Sequence, residues 1–159
     1  MLTSSNPSHN LIDLLLRLVL ASIAGGIIGW NREKRHKAAG LRTHILVSLG
    51  AALFVLIPLQ LNLDSMSESV GRVIQGIAAG VGFLGAGVIL HTKRPNTDEP
   101  SAKGLTSAAA IWVTAALGAV AGCGLWELAI AGTFFTLLTL EGLKKVERHS
   151  FDRYDNPED

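Results

Sequence analysis

The side chains with chemistry to offer fall into two layers along this chain. Asp13, Arg17, Asp64, Glu68, Arg72, Gln75 and Glu127 make one layer, and Arg32, Glu33, Arg42, His44, Lys103, Thr106 and Glu141 make the other. They sit within or beside long apolar stretches, where an ionisable group costs ~2.5 to 3.5 kcal/mol at the centre of a membrane helix and so needs a role. Asp13 and Arg17 are four apart, which puts them on one helix face where they can pair. Arg17 and Arg72 have two readings. Either each pairs locally and snorkels to the membrane surface, or both reach a shared buried site with Glu68 or Glu127. His44 stands at a helix start just after Arg42. It reads as an interfacial hydrogen bonder, with metal ligation or proton relay as the alternative.

Enzyme chemistry has no visible apparatus. No nucleophile elbow, phosphate-binding loop, HExxH or paired-carboxylate pattern occurs in the sequence, and nothing in it calls for a cofactor. A protein-built Mg2+ path would want one or two carboxylates beside retained water, yet no Asp or Glu occurs at 34–63, 69–97, 100–126 or 128–140. That gap lowers the case for Mg2+ conduction, although backbone carbonyls of a Gly-rich helix could still serve an ion. Cys123 is the single cysteine, which excludes an intrachain disulfide and the usual zinc sites.

The elements that must position these groups are membrane helices. Of the 159 residues 48% are apolar and only 17% charged, with a mean hydropathy of +0.37. A bilayer core of ~30 Å takes about 20 helical residues, and five stretches meet that test, near 11–30, 43–61, 70–90, 105–123 and 125–143. The expected fold is an all-α membrane bundle of about five spans. A segment at 1–10 precedes it and a short charged tail at 144–159 follows. Arg32, Lys34, Arg35, Lys37, Arg42, Lys93, Arg94, Lys103, Lys144, Lys145, Arg148 and Arg153 gather on one side, whereas 1–10, 62–69 and the turn at Gly122 to Gly124 carry no Lys or Arg. The positive-inside rule then places the N terminus outside and the C terminus inside. A cleaved signal peptide would need its positive charges before the first apolar run; here they follow it. The Arg32 to Lys37 cluster reads first as a topology signal, and a net charge of +1 gives no reason to invoke nucleic acid. Trp30 and Trp126 are expected as interfacial anchors and Trp112 as core.

Glycine spacing predicts how the spans pack. Gly25 and Gly29, Gly76 and Gly80, and Gly118 and Gly122 each form G-x-x-x-G, the spacing that lets helix backbones approach closely in lipid. The third span also holds Gly82, Gly85 and Gly87. Each glycine costs a helix ~1 kcal/mol relative to Ala. The cluster therefore means either close packing against neighbours or a locally opened helix that exposes carbonyls to an ion or substrate. Ala39-Gly40-Leu41-Arg42-Thr43 before Leu49-Gly50-Ala51 is matched by Lys103-Gly104-Leu105-Thr106-Ser107 before Leu117-Gly118-Ala119. Spans one and two thus read as a two-helix unit repeated by three and four.

Four stretches, in order, resemble the MgtC/SapB membrane proteins of bacteria: GGIIGWNRE at 25–33, AGLRTHILVSLGA at 39–51, RVIQGIAAGVGFLGAGVI at 72–89 and KGLTSAAAIW at 103–112. The resemblance implies a multi-pass protein of the cytoplasmic (inner) membrane without established enzymatic activity. Such proteins are associated with growth when magnesium is scarce and, in pathogens, with survival inside host cells. It further implies regulation of another membrane system, the F-type ATP synthase among them, with magnesium transport as the alternative. Its motif residues fall here on Arg32, Glu33, Arg42, Thr43, His44, Arg72, Gly80, Gly82, Gly85, Gly87, Lys103, Gly104 and Thr106. Longer members continue into a soluble cytoplasmic domain, and this sequence, ending at Asp159, is expected to be a short form. A homo-oligomer, with a dimer favoured, is expected through the Gly-rich faces within the lipid bilayer.

Overall fold

Apolar runs broken by short polar segments fold here into five α-helices. The computed structural model of the chain describes the backbone of residues 7–61, 66–91 and 104–151 and the side chains of 11–61, 67–90 and 104–142. In chain order the helices are α1 (Pro7–Lys34), α2 (Leu41–Gln60), α3 (Met66–His91), α4 (Leu105–Gly122) and α5 (Trp126–Phe151). No strand occurs among the described residues. Four helices carry segments long and apolar enough to cross a membrane: Leu11–Lys34, Leu41–Gln60, Ser67–Leu90 and Leu105–Gly122. The fifth helix forms as well, but its described side chains stop at Gly142, too short a stretch to be assessed as a span.

The helix ends differ from the apolar limits in one direction. Helix α1 runs on through Asn31, Arg32, Glu33 and Lys34, and α5 continues to Phe151 where a charged tail from 144 was expected. Hydropathy marks where a helix is apolar, while hydrogen bonding carries it on through polar residues that favour helix. The rest of that tail, the segment at 1–6, the connection at 92–103 and Lys103 with it lie outside the described residues.

Chain reversals are built locally. After α1, His36 adopts a left-handed φ of 48°, and the N–H of Lys37 reaches back to the Arg32 carbonyl at 3.2 Å. The turn between α4 and α5 needs a φ of 77° at Gly124, a region that L side chains seldom enter.

Helices α2 and α4 form the centre. Helix α1 packs on α2, α4 and α5, while α3 touches only α4 and α2. More than half of the α4 span, 56%, is buried, against 6% of the α3 span. The buried residues are mostly small: Ala21, Ala24, Ala52, Ala115, Ala119 and Ala121 lie among Ile28, Val55 and Ile111. Where lipid is as apolar as the protein, close packing takes over from hydrophobic burial as the cohesive force, and small residues supply it. Leu46, Phe83, Ile130, Phe134 and Phe135 point outward. Trp112 is half exposed and is not core. Ile111, Thr114, Ala115 and Gly118 fill the inward arc of α4, so helical geometry turns Trp112 to the other side.

Candidate functional site

The polar groups gather at the two ends of the bundle. At the end where α1 begins, Arg17 Nε donates to Asp13 Oδ2 at 2.8 Å and Nη1 donates to the Gly122 carbonyl at 2.9 Å. A cation thus satisfies a carbonyl at the C-terminal end of α4, where the helix dipole is negative. Arg72 instead pairs with Glu68, four residues back on its own exposed face. The two arginines do not meet, and Glu127 joins neither of them. Of the two readings for this pair, local pairing describes the structure. Gln75 is exposed on α3.

The other end is richer. Helix α1 reaches it with Asn31, Arg32 and Glu33, and Arg35 follows in the turn; α2 and α4 both begin there, and α5 brings Glu141. Arg32 is only 3% exposed, and its Nη2 donates to Ser107 Oγ at 2.6 Å. Glu33 Oε2 accepts the N–H of Leu41 at 2.9 Å, satisfying one of the free amides that open α2. That carboxylate passes so close over Gly40 that a Cβ there would have to push the flexible end of Glu33 aside. Asn31 Nδ2 donates to Glu141 Oε1, and Arg35 Nη2 lies 3.7 Å from the same oxygen.

His44 is wholly buried rather than interfacial. Its Nδ1 lies 2.8 Å from the Gly40 carbonyl, an acceptor only, so Nδ1 carries the proton and Nε2 is left without a partner. It is placed inside because α1 approaches there through glycine: a Cβ on Gly25 would sit 2.6 Å from the His44 carbonyl oxygen, and one on Gly29 3.0 Å from His44 Cβ. Arg42, Thr43 and Thr106 are exposed at the same end. No group of three or more His, Cys, Asp or Glu able to hold a metal occurs among the described residues.

The glycines divide sharply. Gly118 and Gly122 of α4 face α2 so closely that added Cβ atoms would lie 2.0 Å from the Ser48 carbonyl oxygen and 2.8 Å from that of Ala52. Gly76, Gly80, Gly82 and Gly87 of α3 would meet nothing within 4 Å; only Gly85 has a neighbour, Ala108 at 3.3 Å. Of the two readings for this cluster, the opened helix is not seen, and close packing within the described residues is seen only at Gly85. Gly76, Gly80, Gly82 and Gly87 pack against nothing among the described residues, and α3 is a continuous helix from Met66 to His91, not an opened one. Gly76 and Gly80 instead line an apolar cleft of about 610 Å³ between α2 and α3, with Leu46, Val47, Gly50 and Phe54 on its other wall. The two helix pairs also meet alike. Gly25 faces His44 and Gly85 faces Ala108, each the fourth residue of a helix that follows a glycine cap, Gly40 or Gly104.

Sequence reasoning missed Asn31, Ser48, Ser107 and Thr114 as structural polar groups. Ser48 Oγ donates to the Ala21 carbonyl at 2.7 Å and Thr114 Oγ1 to that of Ala110 at 2.7 Å. The available signal was position. Ser48 is one helical turn beyond His44, and Ser107 lies inside the KGLTS stretch.

The sequence profile of the MgtC family matches residues 18–149. Protein SrpB of Synechococcus elongatus is 51% identical over 147 residues, 89% of this chain and 81% of that protein. YhiD of Escherichia coli is 45% identical over 134 residues, 81% of this chain and 60% of the relative. Protein MgtC of Salmonella typhimurium is 38% identical over 123 residues, 77% of this chain but 49% of MgtC, so the chain spans about half the length of that relative. No solved structure matches the chain. A profile match across most of the chain, with apolar helices where the family motifs lie, establishes that this membrane protein belongs to the MgtC family.

Proposed function

We propose that the chain is a non-enzymatic protein of the bacterial inner membrane that supports adaptation to scarce magnesium by modulating another membrane system. It has five spans, the N terminus outside and the C terminus inside, and is assembled from a repeated two-helix unit. The observation that carries this reading is the α3 face: a continuous, scarcely covered helix whose Gly76 and Gly80 stand open beside an apolar cleft. Glycine destabilises a helix relative to Ala, and a surface that met only lipid tails would gain nothing from it. A second copy of α3 crossing at Gly76 and Gly80 does gain, since close backbone approach is what G-x-x-x-G permits, and a two-fold pair meets the same patch on each side. The functional form is therefore a homodimer. The F-type ATP synthase is the regulated system that the family resemblance offers, and the name of the relative YhiD supports the link to magnesium.

Magnesium transport is the second reading. It is favoured by the name of YhiD, a candidate magnesium transporter, and by the cleft beside α3. Liposomes holding only the purified protein, loaded with a Mg2+-sensitive dye and a membrane-potential dye, separate the two. Modulation predicts no saturable Mg2+ flux from correctly inserted protein. Saturable flux that is abolished by a bulky Gly80→Leu substitution in the cleft overturns it.

A further inference from the structure

Arg32 poses an electrostatic problem that the described residues leave unanswered. Its guanidinium is buried, yet among the described residues no carboxylate lies within ion-pair distance. Glu33 is engaged with the Leu41 amide, and Glu141 with Asn31 and Arg35. Ser107 Oγ takes Nη2; Nε is buried without a partner and Nη1 has none among the described residues. Removing a cation from water without a counter-charge is strongly unfavourable.

Its surroundings add positive potential. Ser107 is the third residue of α4, and the Gly104 cap provides no side-chain acceptor. The first-turn amides of Leu105, Thr106 and Ser107 have no acceptor among the described residues. The positive end of an 18-residue helix thus abuts a buried guanidinium that has no carboxylate partner among the described residues. Ser107 Oγ accepts from Arg32, which leaves its own proton free to donate. Amides, hydroxyl and guanidinium are all donors, a set that suits an anion with several oxygens.

We infer that the first turn of α4, with the Arg32 guanidinium and the Ser107 hydroxyl, forms a binding site for a phosphate-type oxyanion. Location narrows the source. The apolar segments Leu11–Lys34 and Leu105–Gly122 end and begin at this point, the level at which a bilayer carries its phosphate groups. The ligand is either the phosphate of an anionic lipid headgroup or free phosphate from the adjoining water. The arginine fork fits both.

The test uses the full chain, in detergent with inorganic phosphate and in nanodiscs of phosphatidylcholine with or without phosphatidylglycerol. Thermal unfolding and lipid retention in native mass spectrometry are the readouts. Saturable stabilisation by phosphate assigns free anion; stabilisation by phosphatidylglycerol alone assigns the headgroup. In either case Arg32→Gln is expected to weaken apparent affinity about tenfold or more, as loss of a charged hydrogen-bond donor does. Ser107→Ala, a milder change should Arg32→Gln fold poorly, weakens it several fold. Arg42→Gln, an exposed charge at the same end, leaves it unchanged. Absence of saturable stabilisation in both media overturns the site, as does equal stabilisation of wild type and Ser107→Ala.

Discussion

Gly118 and Gly80 occupy the same motif on two helices of one bundle and do opposite things. Gly118 lets the backbone of α4 press on that of α2, with no room for a methyl group, whereas Gly80 of α3 faces open space within the chain. The first region is the inner seam of α1, α2 and α4, where Gly25, Gly29, Gly118 and Gly122 bring backbones together. The second is a helix with 6% of its span buried. A spacing of glycines states that a backbone can approach; only the surrounding fold decides whether the approaching backbone belongs to the same chain.

The contrast can be broken most forcefully at Gly118. Gly118→Ala sets a Cβ against the Ser48 carbonyl, which cannot swing away as a side chain would, and is expected to cost about 3 kcal/mol. Thermal unfolding in detergent would register it, or the variant would fail to accumulate. Gly25→Ala, with its nearest atom the His44 carbonyl oxygen at 2.6 Å, should cost about 2 kcal/mol by the same assay. Ser48→Ala removes the buried hydrogen bond to Ala21 that ties the seam together, an expected loss of about 1 kcal/mol. Gly80→Ala reverses the sign for the isolated protomer, gaining up to about 1 kcal/mol from helix propensity, while lowering the dimer fraction measured in membranes. The smallest effect concerns Cys123 at the end of the seam. Burial pushes its thiol up despite the nearby Arg17, so less thiolate is present at any pH below that value. Alkylation at mildly alkaline pH should run slower than that of an exposed cysteine.

The fold was legible where physical chemistry acts along the chain. Apolar length located the four spanning segments and the fifth helix, and the four-residue step from Asp13 to Arg17 placed that pair correctly. What depends on which helix lies beside which was not legible. His44 was expected at an interface because it is a lone histidine at a helix entry, but the glycines that admit it to the interior come from α1. Trp112 was expected inside because it falls within the fourth span rather than at its end, yet the inward arc of α4 is taken by smaller residues. Arg17 and Arg72 could be tied to a common site on paper; the packing of α1 against α4 sends Arg17 to Gly122 instead. At the Arg32 end the motif residues were visible as a set, while their division into a buried guanidinium, an amide cap and exposed groups followed only from the helix starts of α2 and α4.

The account rests on α3 meeting a second copy of itself. Cysteines placed singly at Gly76 or Gly80 in a Cys123→Ser background, oxidised in native membranes, test that most directly. The account predicts a disulfide-linked dimer from both positions and none from Ile130→Cys, an equally outward position on α5. Monomer from both α3 positions, in protein shown to be folded, would contradict it, as would equal cross-linking from Ile130→Cys.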